Sequence, residues 1–154
     1  MAKLSRVKKR PGGKFYTVHI AGVSTIKKMG CRISKPAKAL MDRYWPGPLT
    51  LVLPAESGDS IGFRMPANKV ALELIGCSKV PVVAPSANLS GSKPPVEASQ
   101  VLEELDGKID MVIDAGPTEV GVESTVVDMT VEPFKILRKG AIKAGEIKRI
   151  LSDG

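Results

Sequence analysis

Aromatic side chains make up only 4% of this 154-residue sequence, which also has just two cysteines and a single histidine. Each shortage removes a class of protein. With so few rings, the core must be packed from aliphatic side chains. The longest apolar runs, VPVVAP from Val80 and LTLVLP from Leu49, fall far short of the roughly 20 residues a membrane helix needs. No hydrophobic segment follows the charged N-terminus, as a secretory leader would require, so a soluble, cytoplasmic protein with no membrane partner is expected. Cys31 and Cys77 lack CxxC spacing, and both are read as packing residues. One histidine excludes any two-histidine metal site, and GxSxG, HExxH and GxxxxGK[ST] are all missing. No metal-ligand set is therefore expected in the protein. An enzyme made this way would act by positioning substrates and stabilising charge with fixed cations and N–H groups, as in phosphoryl and nucleotidyl transfer.

What is present is ordinary globular material: 43% hydrophobic and 25% charged residues, enough to bury a core as a single domain over residues 1–154. The net charge of +7 is segregated. Residues 1–14 carry six cations and no anion, Val96 to Glu132 carries ten acids against Lys108, and Lys135 to Arg149 carries six cations against Glu146. If the basic ends converge on one face, that face would attract polyphosphate or a nucleic-acid backbone. The alternative is a solvated arm and a solvated helix.

Short β-branched runs punctuated by proline and glycine predict strands at Phe15–Ile20, Leu49–Leu53, Ile61–Met65, Val80–Ala84, Ile109–Asp114, Ser124–Met129 and Phe134–Arg138. Helical spacing predicts helices at Pro36–Tyr44, Lys69–Ile75, Glu97–Leu105 and Lys143–Leu151. Alternation of this kind implies an α/β fold with helices on a sheet, mixed because the last two strands follow each other closely.

Two distant stretches read as halves of one anion site. KKRPGGK, Lys8 to Lys14, gathers four cations around a Gly-Gly turn. APSANLSG, Ala84 to Gly91, sets hydroxyls, an amide and exposed N–H groups after an apolar run expected to be a buried strand. Each also has a plainer reading, as a solvated basic turn and as ordinary Ser/Asn/Gly turn chemistry.

Taken in order, KKRPGGK, TVHIAG, WPGPLTLVL, GFRMP, VPVVAPSANLSGSKPP, DAGPTEVGVESTVVDMT and ILRKGAI resemble the YrdC-like family from Lys8 to about Ile142. The resemblance implies a twisted open mixed sheet with helices packed on it and a basic concave face, the YrdC/RibB fold associated with double-stranded RNA binding. It implies L-threonylcarbamoyladenylate synthesis, a nucleotidyl transfer in which L-threonine, bicarbonate and ATP give threonylcarbamoyl-AMP and pyrophosphate. The product would pass to a downstream threonylcarbamoyl transferase for tRNA modification. Lys8 and Arg10 stand at the catalytic KxR positions. Arg10, Lys14, Asn88 and Arg138 stand where ATP is bound, and Mg²⁺ would accompany its phosphates. His19, Arg64, Ser86 and Ser124 stand where threonine is bound. Structural readings stay open beside these: a strand histidine, a surface ion pair for Arg64, and a buried serine satisfied by backbone. Thr50 in WPGPLT is assigned no role, since Pro-Gly-Pro is also a rigid turn. The sequence departs from the family at Phe15, where proline usually follows the lysine, and at Val96, where threonine usually meets ATP. Only MAKLSRV precedes Lys8, so the expected domain lacks the family's N-terminal helix and PTDTVYGL-type strand. Two other functions fit the same residues: a non-catalytic module binding double-stranded RNA or tRNA, and a carbamoyl-transfer domain of the hydrogenase-maturation kind.

Overall fold

The computed structural model describes residues 2–8, 16–118 and 121–152. The chain divides into two compact units, Met1–Phe15 with Pro85–Gly121, and Tyr16–Ala84 with Val122–Gly154. The first holds helices α1 (Ala2–Val7) and α5 (Ala98–Leu105). The second holds α2 (Ser24–Lys28), α3 (Lys35–Tyr44), α4 (Lys69–Cys77) and α6 (Ala144–Ser152), together with strands β1 (Thr17–His19), β2 (Leu49–Pro54), β3 (Ser60–Arg64), β4 (Val82–Val83), β5 (Thr125–Asp128) and β6 (Lys135–Arg138).

The six strands form one open mixed sheet in the order β4-β1-β3-β2-β5-β6. β1 runs parallel to β3, and β2 parallel to β5, while the other neighbours are antiparallel. Side chains alternate across a sheet, so the register decides which residues share a face. Val18 lies opposite Phe63, Phe63 opposite Leu51, Leu51 opposite Val127, and Val127 opposite Ile136. These residues belong to the aliphatic core, in which Phe63 is the largest fully buried side chain. Burial of each large apolar side chain contributes about 1.5–3 kcal/mol.

Helix α3 starts where Ser34 accepts a hydrogen bond from the Ala37 N–H at 3.3 Å, with proline in its first turn, and stops before the cis Trp45–Pro46 bond. It buries Ala37, Leu40 and Met41, and α6 packs beside it through Ile147. Asn68 caps α4 in the same way, accepting from the Ala71 N–H at 2.9 Å.

Four expectations fail. Ile109–Asp114 forms no strand, and Met111 and Ile113 are 75% and 56% exposed. A short, partly β-branched apolar run makes a strand only when a neighbour takes up its N–H and C=O groups, and the described residues of that unit form no strand. Val80–Ala84 shrinks from a buried strand to the half-buried edge pair Val82–Val83, because Pro81 and Pro85 bracket it and cannot donate to a ladder. Cys77 is exposed rather than packed, while Cys31 is buried. Helices α1 and α2 are unforeseen, each too short to show a period.

Candidate functional site

The face of the sheet opposite the core is polar along one row. His19 on β1 lies opposite Arg64 on β3. Because Leu51 pairs with Phe63, the preceding Thr50 falls opposite Arg64. Thr50 in turn lies opposite Val126, and Val126 opposite Arg138 on β6. Gly62, two residues before Arg64, keeps this face low, and a Cβ there would sit 3.7 Å from Thr17 Oγ1 and 3.8 Å from Thr50 Cγ2. Ser124, directly before β5, shares the face of Val126 by alternation.

Hydrogen bonds fix the row. Arg64 Nε donates to the Gly47 carbonyl at 3.2 Å, and neither terminal nitrogen of its guanidinium has a protein acceptor among the described residues. Arg138 Nε donates to the Ser124 carbonyl at 3.0 Å, Nη2 donates to Ser124 Oγ at 2.9 Å, and Nη1 pairs with Glu123 Oε1 at 2.9 Å. The buried hydroxyls of Thr50 and Ser124 lie 2.9 Å apart. Burial, and then the positive charge of Arg138, pull the Arg64 pKa below its usual value. Burial, and then Arg64, also lower the pKa of His19, against the opposing contact of its Nδ1 with the Thr17 carbonyl at 3.4 Å. His19 is thus a neutral hydrogen-bonding group near pH 7 beside the Arg64 guanidinium, while the carboxylate of Glu123 pairs with Arg138. The face is set to receive an anion, with Arg64 offering a free fork for a carboxylate or phosphate.

Two glycines that the sequence presents only as turns hold this geometry. A Cβ on Gly140 would lie 2.4 Å from the Glu123 carbonyl oxygen and 2.5 Å from Ser124 C and Thr125 N. A Cβ on Gly47 would lie 2.3 Å from the Tyr44 carbonyl oxygen. Both are needed for close backbone approach, which a motif such as RKG does not announce. Thr125 points to the other side, where its hydroxyl donates to the Ile142 carbonyl at 2.8 Å and accepts from the Ile142 N–H at 3.0 Å.

In the other unit, Lys8 is only 4% exposed. Its ammonium donates to the Ser86 carbonyl, to the Asn88 carbonyl at 2.6 Å and to Asn88 Oδ1 at 3.1 Å. The Lys8 carbonyl accepts from the Ser90 N–H at 3.0 Å, and Asn88 Nδ2 donates to the Ser92 carbonyl at 2.6 Å. Glu104 on α5 accepts the Leu89 N–H at 2.6 Å. That bond, the Ser92 hydroxyl and the charges of Lys8 and Lys108 hold its carboxyl below the usual range. A groove of about 230 Å³ opens beside Asn88, lined by Lys93, Val96, Gln100 and Glu104 among others.

The structure therefore brings His19, Arg64, Ser124 and Arg138 together on one sheet face, and Lys8, Ser86 and Asn88 together in one loop. Arg10 and Lys14 lie outside the described residues. Among those described, no group of three His, Cys, Asp or Glu side chains could hold a metal ion.

Comparisons with known proteins agree with one another. The chain is 39% identical to the threonylcarbamoyl-AMP synthase of Pyrococcus abyssi, over 98% of this chain and 47% of that protein. It is 38% identical to the threonylcarbamoyl-AMP synthase of Bacillus subtilis, over 97% of this chain and 46% of the relative. The crystal structure of P. abyssi Sua5 complexed with L-threonine matches with a TM-score of 0.91 at 40% identity, covering 97% of this chain and 46% of that one. The chain thus spans about half the length of these relatives. The Sua5/YciO/YrdC family model, described as telomere recombination, matches residues 1–140, and the chain belongs to that family.

Proposed function

We propose that this chain carries out L-threonylcarbamoyladenylate synthesis, combining L-threonine, bicarbonate and ATP into threonylcarbamoyl-AMP and pyrophosphate. The observation that carries this reading is the row of His19, Arg64, Thr50 and Arg138 on the sheet face opposite the core, with the terminal nitrogens of Arg64 uncommitted among the described residues. Arg64 would grip the threonine carboxylate through both of those nitrogens, and His19 and Ser124 would bind the rest of the amino acid. Arg138 would face ATP phosphate, already oriented by its bonds to Ser124 and Glu123. Asn88 and its neighbouring groove would take part of the nucleotide, with Ser86 on the threonine side. Arg10 and Lys14 would add cations to the phosphates, and Lys8 would act from within the Ser86–Ser92 loop. Fixed cations of this sort stabilise charge that grows on a leaving pyrophosphate without reorganising. Mg²⁺ would accompany the ATP phosphates, its usual partners in a nucleotide site.

In this reading both units serve a single functional domain, the protein acts in the cytoplasm, and its product is consumed by a downstream threonylcarbamoyl transferase. No helix among the described residues is long and apolar enough to cross a membrane. The basic terminal segments favour a further partner, tRNA or double-stranded RNA, whose binding should weaken steeply with salt. The test is pyrophosphate release measured with each substrate omitted in turn. Release that requires threonine, bicarbonate and ATP together, and is lost in Arg64→Ala, is the expected result. Salt-sensitive RNA binding with no threonine-dependent release would replace this reading with the RNA-binding one.

A further inference from the structure

Thr50 and Ser124 form a hydroxyl pair that is one acceptor short. Both residues are 2% exposed, and their oxygens lie 2.9 Å apart. Two hydroxyls bring two protons, and their mutual hydrogen bond uses one. Arg138 Nη2 donates to Ser124 Oγ, so it adds a donor and accepts nothing. Among the described residues neither hydroxyl has any other partner. One buried O–H is therefore left over, on the face where Arg64 also presents unused donors. Buried hydroxyls are normally satisfied, so a leftover proton beside guanidiniums indicates an anionic acceptor.

We propose that Thr50 is a positioning residue for this site: its hydroxyl donates to Ser124 Oγ, which turns the Ser124 proton outward to a carboxylate or phosphoryl oxygen held by Arg64 and Arg138. This assignment leaves the free proton on the oxygen that Arg138 already touches. Ser124 accepts from a guanidinium on one side and a hydroxyl on the other, and a hydroxyl so polarised is a stronger donor. The reverse assignment would tie the Ser124 proton to Thr50 and put the free proton on Thr50 Oγ1, to which no guanidinium donates among the described residues. Thr50 thus acts through Ser124 and selects for ligands with an acceptor oxygen at that point. The inference rests on the anion-binding reading of this face, though not on threonine being the anion.

The test is a double-mutant cycle on the full chain, with calorimetric titration of L-threonine and, separately, of inorganic sulfate. Thr50→Val keeps the shape and removes the hydroxyl, and should weaken binding about tenfold, the worth of one charge-assisted hydrogen bond. Thr50→Ser should stay within about twofold of the native protein. In a Ser124→Ala background, Thr50→Val should cause no further loss, because coupled residues are not additive. Wild-type affinity in Thr50→Val overturns the inference, as does an equal loss in Thr50→Ser or full additivity with Ser124→Ala. If Thr50→Val does not fold, Thr50→Ala takes its place in the cycle with the same criteria. Sulfate binding that depends on Thr50, without threonine binding, would keep this inference and remove the proposed substrate. Failure to bind either anion overturns it.

Discussion

Lys8 and Arg64 are both cations in motifs that read as ligand-binding, yet the two units use them in opposite ways. Lys8 is turned inward, and three loop oxygens surround its ammonium. Arg64 commits only Nε to the protein, leaving its other nitrogens for something else. The difference comes from what lies around each residue. A loop folded over Lys8 supplies carbonyl oxygens that must be paired when buried, whereas strand β3 projects Arg64 onto a face where the charge felt by its guanidinium is that of another arginine. A cation near a binding motif can therefore be structural or chemical, and its hydrogen-bond partners decide which.

Four experiments would break or sharpen that contrast. The largest effect is expected for Gly140→Ala, whose new Cβ would strike three backbone atoms of the Glu123–Thr125 segment. Because backbone cannot swing away, roughly 4 kcal/mol or more of stability should be lost, read from denaturant unfolding. Lys8→Met should cost about 3 kcal/mol by leaving buried carbonyl oxygens without a donor. Hydrogen exchange should place that loss in the Ser86–Ser92 loop and spare the amides of β2 and β3. Equal loosening of the sheet would dissolve the contrast between the units. Arg64→Ala should leave stability within about 1 kcal/mol and reduce threonine affinity about 30-fold or more. Arg64→Lys should recover little of it, since an ammonium cannot reproduce the fork.

The smallest effect concerns His19. Its folded pKa lies below the ordinary value of 6.5, so in acid the unfolded chain takes up this proton first. The contribution to stability is complete above about pH 6.5 and declines as pH falls from there toward the lower folded value. His19→Gln should flatten that part of the stability–pH curve and leave the rest in place.

Local chemistry made much of the sheet and its motifs legible. Leu49–Leu53, Ile61–Met65 and Ser124–Met129 read as strands from short apolar runs, often β-branched, and the observed bounds differ by a residue. His19, Arg64, Ser124 and Arg138 could be named from their motifs, but their common row depends on parallel and antiparallel registers between strands up to 76 residues apart, Leu49 pairing with Thr125, which no local pattern encodes. Ile109–Asp114 shows the converse error, since it is a short, apolar, partly β-branched run but forms no strand and has none beside it among the described residues of its unit. Thr50 was hidden by its setting, because Pro-Gly-Pro accounts for the turn without reference to the residue after it. Gly47 and Gly140 were hidden because close approach is a property of the other segment, not of the glycine. The inward turn of Lys8 depends on loop carbonyls about 80 residues away.

Between β5 and β6 the pairing slips by one residue: Val127 faces Ile136, whereas Val126 faces Arg138, and Leu137 is the extra residue. Such a bulge shifts the in–out parity of every residue beyond it. With uninterrupted pairing, Leu137 would stand in the polar row and Arg138 would point toward the core. The guanidinium reaches its station by counting rather than by affinity. Deleting Leu137 would close the bulge and still leave the last arginine opposite Val126, whereas inserting one residue after Leu137 would move that arginine one place out of register and turn it to the other face.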